Sequence, residues 1–80
     1  MRSSAARYEA LEPAHQIARA RIASGLTQTQ LAERAGTSQS SIARLESGVG
    51  APSLSYLTRV AHALGLRVEV RLVPDEPRQG

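Results

Sequence analysis

Apolar and polar residues alternate along residues 13–65 with the spacing of three and four that is typical of amphipathic helices. Each periodic stretch ends near a glycine, which favours a helix C-terminus there. The pattern predicts helices over residues 13–24, 28–35, 39–47 and 54–64. The residues expected on their inner faces are Ala14, Ile17, Ala20, Leu31, Ala32, Ala35, Ile42, Leu45, Leu54, Leu57, Val60, Ala61 and Leu64.

Residues suited to helix starts precede these stretches. Thr27 is followed three positions later by Gln30, the spacing of a capping box, in which each residue bonds the other's backbone. Ser38 and Ser53 are suitable caps for the third and fourth helices. Pro13 fits the first turn of the first helix, because a proline there loses no hydrogen bond. We expect residues 1–12 to form a flexible or partly helical N-terminal arm ahead of a helical domain over residues 13–65.

After Gly65 the apolar period changes from that of a helix to two. Leu66, Val68, Val70 and Leu72 alternate with charged residues, which predicts a half-buried strand over residues 66–73. A lone strand with one apolar face is unstable in water, and the chain offers no second strand. We therefore expect these four side chains to mediate dimerisation, with the strand paired to its counterpart in a second copy. Residues 74–80 are expected to be a disordered tail.

Composition narrows the classes of protein that fit. The 80 residues suffice for one domain, and 41% of them are apolar, with only two tyrosines as aromatics. The formal net charge is +3, and every basic residue is arginine, which permits a polyanionic partner. The absence of cysteine excludes disulfides and Cys-type zinc sites. Without a long apolar run or signal peptide, we expect a cytoplasmic protein with no membrane partner, no metal and no cofactor.

The window over residues 28–47 carries the functional signal. Ala32 is small enough to lie where two short helices cross, and Gly36 permits a tight turn between them. Ile42 and Leu45 can hold the second helix from behind. Two helices joined in this way form a helix-turn-helix, a unit that reads DNA. The window therefore predicts that the domain over residues 13–65 binds DNA. The same geometry can also be merely structural, but the outward face formed by Gln39, Ser40, Ala43 and Arg44 is neither acidic nor apolar.

Three stretches of the chain resemble lambda-repressor-like (XRE-type) regulators. They are GLTQTQLA at residues 25–32, GTSQSSIARLESG at residues 36–48, and the fourth-helix residues Pro52-Ser53-Leu54 and Ala61-His62-Ala63-Leu64-Gly65. The resemblance implies a mostly α fold, a bundle of four short helices with a helix-turn-helix, here followed by one C-terminal β-strand. The short strand directly after the fourth helix is similar in pattern to HipB-type antitoxins, in which such strands build the dimer.

The resemblance also implies roles for individual residues. Those expected to read bases are Gln39, Ser40 and Arg44. Gln39 can make paired hydrogen bonds with adenine, whereas Arg44 could reach either guanine or a phosphate. Phosphate contacts are expected from Thr27, Gln28, Ser38 and Ser41, and Gln28 also corresponds to a glutamine that braces the reading glutamine. Arg21 and Glu46 match positions that form a structural ion pair.

Functional hypotheses follow from these features. No nucleophile with a nearby base, phosphate loop or cofactor motif is present, so we expect no enzyme. His15 and His62 lack partners at ligand spacing, and Tyr56 fits a packing role. The expected function is a dimeric transcriptional repressor on a palindromic operator, serving as the autoregulating antitoxin of a type II toxin–antitoxin pair. A stand-alone regulator and a protein-interaction module without an operator are the alternatives. The expected partners are double-stranded DNA, a second copy and a cognate toxin.

Overall fold

The computed structural model describes the backbone of residues 2–75 and the side chains of residues 13–75. Within these residues the chain forms four helices and no strand. They are α1 (Arg2–Ala23), α2 (Gln28–Ala35), α3 (Gln39–Ser47) and α4 (Leu54–Ala63). Helix α2 packs against both α3 and α4, and α1 packs against α3. The predicted helical bundle is therefore confirmed, with α2 and α3 at its centre.

Side-chain caps define where the three short helices begin. Thr27 Oγ1 accepts a hydrogen bond from the Gln30 backbone N–H at 3.0 Å, and Gln30 Oε1 accepts one from the Thr27 N–H at 2.9 Å. Ser38 Oγ accepts from the N–H of Ser41 and starts α3. Ser53 caps α4 in the same way. The predicted capping box and both serine caps are confirmed, because local chemistry alone decides these contacts.

The core is a small cluster of aliphatic side chains from all four helices. Leu31, Ile42 and Val60 are fully buried at its centre. The other buried members are Ala14, Ile17, Ala32, Ala35, Leu45 and Ala61. Of the remaining predicted inner residues, Ala20, Leu57 and Leu64 are half-buried. Leu54 is wrong as a core residue, since 54% of it is exposed; it is the first residue of α4 and lies beyond the edge of the packed face.

The start of α1 differs from the prediction. The helix begins at Arg2 rather than at Pro13, which lies inside it. A proline inside a helix removes its own N–H bond and crowds the carbonyl four residues earlier, here that of residue 9, so its place inside α1 is unfavourable in itself. The preceding segment is rich in alanine, leucine, glutamate and arginine, all good helix formers, so the helical backbone extends through it. No helix in the described part of the chain is long and apolar enough to cross a membrane.

Residues 66–73, predicted as a strand, have no strand pairing in the single described chain. A strand exists only through hydrogen bonds to a neighbour, and one copy of this chain supplies none. Arg67 Nη2 forms an exposed ion pair with Glu69 Oε2 at 3.1 Å. Val68 packs against the core, while Val70 and Leu72 are 61% and 95% exposed. The predicted tail lies mostly outside the described residues.

We predict that the turn between α2 and α3 depends on the glycine at its start. Gly36 has φ of +71° and ends α2, and a Cβ added there would meet nothing within 4 Å. The cost of Gly36→Ala is therefore conformational rather than steric, about 1 kcal/mol of unfolding free energy. Gly36→Asn is the matched control and should cost less, because asparagine tolerates this conformation better. Chemical denaturation measures both, and equal losses would contradict the assignment.

Candidate nucleic-acid interface

The turn between α2 and α3 presents one face of α3 to solvent. The Thr37 N–H donates to the Ala32 carbonyl at 2.9 Å across the left-handed Gly36. Helix α3 then buries Ile42 and Leu45 against the core. Its opposite face carries Gln39, Ser40 and Arg44, all of them exposed, with Ala43 half-buried among them. The structure thus brings the three residues predicted to read bases together on one protruding surface.

Two glutamines meet at the edge of this surface. Gln39 Nε2 donates a hydrogen bond to Gln28 Oε1 at 2.7 Å, joining the first residue of α3 to the first residue of α2. Gln39 is exposed and Gln28 is half-buried. The bond restricts the Gln39 side chain, which would otherwise sample many rotamers. Ordering such a side chain on binding costs conformational entropy. It leaves the Gln39 side-chain carbonyl and one amide proton without a partner among the described residues.

Arg21 and Glu46 form the ion pair that ties α1 to α3. Arg21 Nε donates to Glu46 Oε2 at 2.6 Å, and Arg21 Nη2 donates to Glu46 Oε1 at 3.0 Å. Arg21 Nη1 also donates to the Leu26 carbonyl at 2.8 Å, so the guanidinium fixes the loop before α2. Only 15% of the Arg21 side chain and 7% of the Glu46 side chain are exposed. The pair is therefore shielded from solvent and held in bidentate geometry.

The hydrogen bond to Glu46 raises the pKa of Arg21 above its ordinary value. Burial opposes this change, and the Coulomb attraction of Glu46 adds to it. A raised pKa keeps the folded-state arginine charged, so the stability that this group supplies is present at all pH values below its unfolded pKa. Deprotonation of Arg21 therefore does not break the pair at any pH where proteins are ordinarily studied.

Glu46 makes a further contact that the sequence did not indicate. Gln28 Nε2 donates to Glu46 Oε1 at 3.0 Å, whereas Gln28 Oε1 accepts from Gln39. The ion pair and the glutamine pair are thus one continuous hydrogen-bonded chain running from α1 to the exposed surface. No local pattern connects residues 28 and 46, which are on different helices and meet only through the crossing of α2 and α3.

The hydroxyls predicted to bind phosphate are engaged within the protein. Thr27 Oγ1 caps α2, and Ser38 Oγ caps α3 and donates to Ser41 Oγ at 2.9 Å. Ser40 Oγ lies 3.2 Å from Ser38 Oγ. These side chains hold the helix starts, where the first backbone N–H groups have no intrahelical partner. The hydroxyls of Thr27 and Ser38 thus serve as helix caps in this structure.

Arg44 and Tyr56 lie where α3 approaches the loop into α4. They line a shallow cavity with the loop residues Val49, Gly50, Ala51 and Pro52 and with Ser41, Leu45 and Ser53. Tyr56 packs against the core, and its hydroxyl is 3.4 Å from Thr37 Oγ1. Arg59 sits over the Tyr56 ring at 5.7 Å from its centroid. Tyr56 therefore links α4 to the turn before α3. The sequence predicted only a packing role for this residue.

Comparison with known proteins supports this arrangement of α2, turn and α3. Residues 17–70 match the family described as Helix-turn-helix. This chain belongs to the helix-turn-helix family. The match covers α2, α3 and α4, and it includes both members of the ion pair and both glutamines.

A relative from Methanothermobacter thermautotrophicus carries the name "Uncharacterized HTH-type transcriptional regulator". It is 51% identical to this helix-turn-helix chain over 41 residues, which are 51% of this chain and 59% of the relative. The match thus spans about three fifths of the relative's length. No solved structure matches the chain.

We predict that the Arg21–Glu46 pair contributes measurably to stability, whereas the exposed Arg67–Glu69 pair does not. A double-mutant cycle to alanine at residues 21 and 46 should give a coupling energy of about 1–3 kcal/mol, because the pair is shielded and bidentate. The matched cycle at residues 67 and 69, whose side chains are 84% and 70% exposed, should give less than about 0.5 kcal/mol. Urea denaturation measures both, and equal coupling energies would refute the distinction.

Proposed function

We propose that this protein is a DNA-binding transcriptional regulator that reads the major groove through α3. The observation that carries the proposal is the Gln28–Gln39 pair, in which an exposed glutamine on the protruding helix is held by a second helix. The free carbonyl and amide proton of Gln39 match the donor and acceptor that adenine presents in the major groove. The name of the Methanothermobacter relative supports the same role.

Phosphate contacts would place α3 in the groove. The capped starts of α2 and α3 offer backbone N–H groups, and Gln28 keeps one amide proton that Glu46 does not use. Arg44 is an exposed cation in the last turn of α3, and its position near Gly50 allows either a guanine or a flanking phosphate. Such contacts set register on the duplex, while Gln39 and Ser40 carry sequence information.

The C-terminal segment supports a dimeric form of the regulator. Val70 and Leu72 expose apolar side chains, and Leu66 is 41% exposed on the same alternation. Pairing this segment with its counterpart in a second copy would satisfy its backbone and cover these side chains. A two-fold dimer places two α3 helices for half-sites about 34 Å apart, so the proposed operator is palindromic.

A second proposed role is that of an antitoxin that represses its own operon. It is supported by the resemblance of the C-terminal pattern to HipB-type antitoxins. The test is co-expression with the neighbouring gene. Growth arrest by that gene alone, relieved by this chain, supports the role. Absence of any toxic neighbour leaves a stand-alone regulator.

We predict that Gln39→Ala weakens binding to a selected operator by roughly 1–3 kcal/mol and removes preference at one base pair. The reason is loss of a bidentate contact without loss of core packing, since Gln39 is exposed. Site selection from random DNA identifies the operator, and fluorescence anisotropy at several salt concentrations measures affinity.

Gln30→Ala is the control for this measurement, because the Gln30 amide bonds the backbone of Thr27. It should lower stability while keeping the base preference of the wild-type protein. If Gln39→Ala binds every sequence as the wild type does, α3 does not read bases through this residue. If wild-type binding has no salt dependence, the protein does not contact phosphates.

We predict that Leu72→Asp disrupts self-association. Leu72 is 95% exposed in one copy, so the change leaves the monomer intact and places a charge in the proposed interface. Val68 is less suitable, because it packs against the core of its own chain. Sedimentation velocity should show a dimer for the wild type and a monomer for the variant, with weaker operator binding.

Ile22→Asp serves as the matched control, since Ile22 is also an exposed aliphatic residue, at 65%, but lies on α1. It should sediment as the wild type does. An undisturbed Leu72→Asp dimer would exclude the C-terminal segment as the interface and leave the role of α3 unaffected.

A further inference from the structure

A single acidic side chain stands behind the glutamine pair at the exposed surface. The Glu46 carboxylate accepts three hydrogen bonds, two from Arg21 and one from Gln28 Nε2. Gln28 Oε1 in turn accepts from Gln39 Nε2 at 2.7 Å. The three residues Glu46, Gln28 and Gln39 therefore form a relay in which each member faces the next through one hydrogen bond.

The chemistry of the carboxylate fixes the direction of this relay. An ionised carboxylate can only accept hydrogen bonds, whereas either end of a glutamine amide can turn toward a neighbour. Facing Glu46, Gln28 must present its amino group, so its carbonyl oxygen points to Gln39. Gln39 must then present its own amino group to Gln28. Its carbonyl and second amide proton are left for the ligand in one defined orientation.

We infer that Glu46 is a positioning residue that sets the base preference of Gln39 without touching DNA. The inference rests on the proposed function and specifies it further. Acting through Gln28, Glu46 makes Gln39 offer an acceptor and a donor in the order that adenine requires in the major groove. Reversal of the relay would turn the Gln39 amide and place a donor where adenine also has a donor.

The surroundings of Glu46 hold its carboxylate in place. Its side chain is 7% exposed, and the Arg21 guanidinium lies against both carboxylate oxygens. The bidentate arginine also leaves the carboxylate little freedom to rotate away from Gln28. Arg21 thus supports the relay by holding Glu46 in position. The donor-to-acceptor direction of the hydrogen bonds is set by the carboxylate alone.

The decisive variant is Glu46→Gln, compared with Arg21→Lys. Both weaken the ion pair, but only the first introduces an amino group, which can donate to Gln28 and reverse the relay. The base pair read by Gln39 is first located by its loss in Gln39→Ala. At that base pair, the preference for adenine should fall about tenfold or more in Glu46→Gln and be retained in Arg21→Lys.

The double variant Glu46→Gln with Gln28→Glu tests the direction of the bonds. Its new carboxylate at position 28 accepts from both neighbours, so Gln39 again donates inward and the adenine preference returns. Overall affinity should be lower, because a negative charge then lies near the phosphates. A purely structural role for Glu46 predicts no such rescue.

Side-chain amide NMR of the DNA-free wild type supplies a readout that does not depend on the variants folding. One amide proton of Gln28 and one of Gln39 should be shifted and protected by hydrogen bonding. Absence of both signals would overturn the relay. Denaturation curves identify the temperature at which each variant is folded for the binding assay.

The outcomes separate the relay from the proposed function. Retained adenine preference in folded Glu46→Gln, equal loss in Arg21→Lys, or no rescue in the folded double variant would each overturn the relay while leaving DNA reading intact. A wild-type protein that selects no DNA sequence at all would instead overturn the proposed function.

Discussion

Helices of eight to ten residues are too short to persist alone in water, and this constraint governs the central part of the molecule. Helices α2, α3 and α4 have eight, nine and ten residues. Each is held by a side-chain cap at its start and by a few aliphatic side chains in a shared core. Because Ile42 and Leu45 fix α3 from one side, its other side is free to carry polar residues without loss of the fold.

The same arrangement explains why polar contacts can be ordered at the surface. Arg21 and Glu46 join α1 to α3 in a shielded site, and Gln28 extends this contact to Gln39. The shielded Arg21–Glu46 pair therefore restrains Gln28, and Gln28 in turn restrains the exposed side chain of Gln39. A surface glutamine without such support would lose more conformational freedom on binding. In the proposed function, stability and DNA recognition are linked through one set of side chains.

The C-terminal segment shows the limit of a single chain. Its alternation of apolar and charged residues is that of a strand. Only Val68 finds a place in the core of its own chain, while Leu72 is almost fully exposed. The segment has the sequence pattern of a strand, but it can form one only when a neighbouring strand supplies the hydrogen bonds.

The sequence by itself determined the features that depend on neighbours along the chain. The capping box of Thr27 and Gln30, the start of α3 at Ser38 and the turn at Gly36 could be predicted. Each depends on bonds and dihedral angles within four residues. The helical period likewise identified most of the core. The extension of α1 through Pro13 was not predicted, because a proline inside a helix is ordinarily unfavourable and favours a helix start at that residue.

Tertiary structure decided what depends on distant residues meeting. The resemblance to known regulators indicated the Arg21–Glu46 pair and the bracing role of Gln28. Only the folded chain shows that Glu46 contacts Gln28 and so joins the two pairs. The exposure of Leu54, despite its place on the apolar stripe, also follows from where the neighbouring helices end. Hydrogen-bond direction and burial are properties of three-dimensional proximity, and spacing along the chain does not encode them.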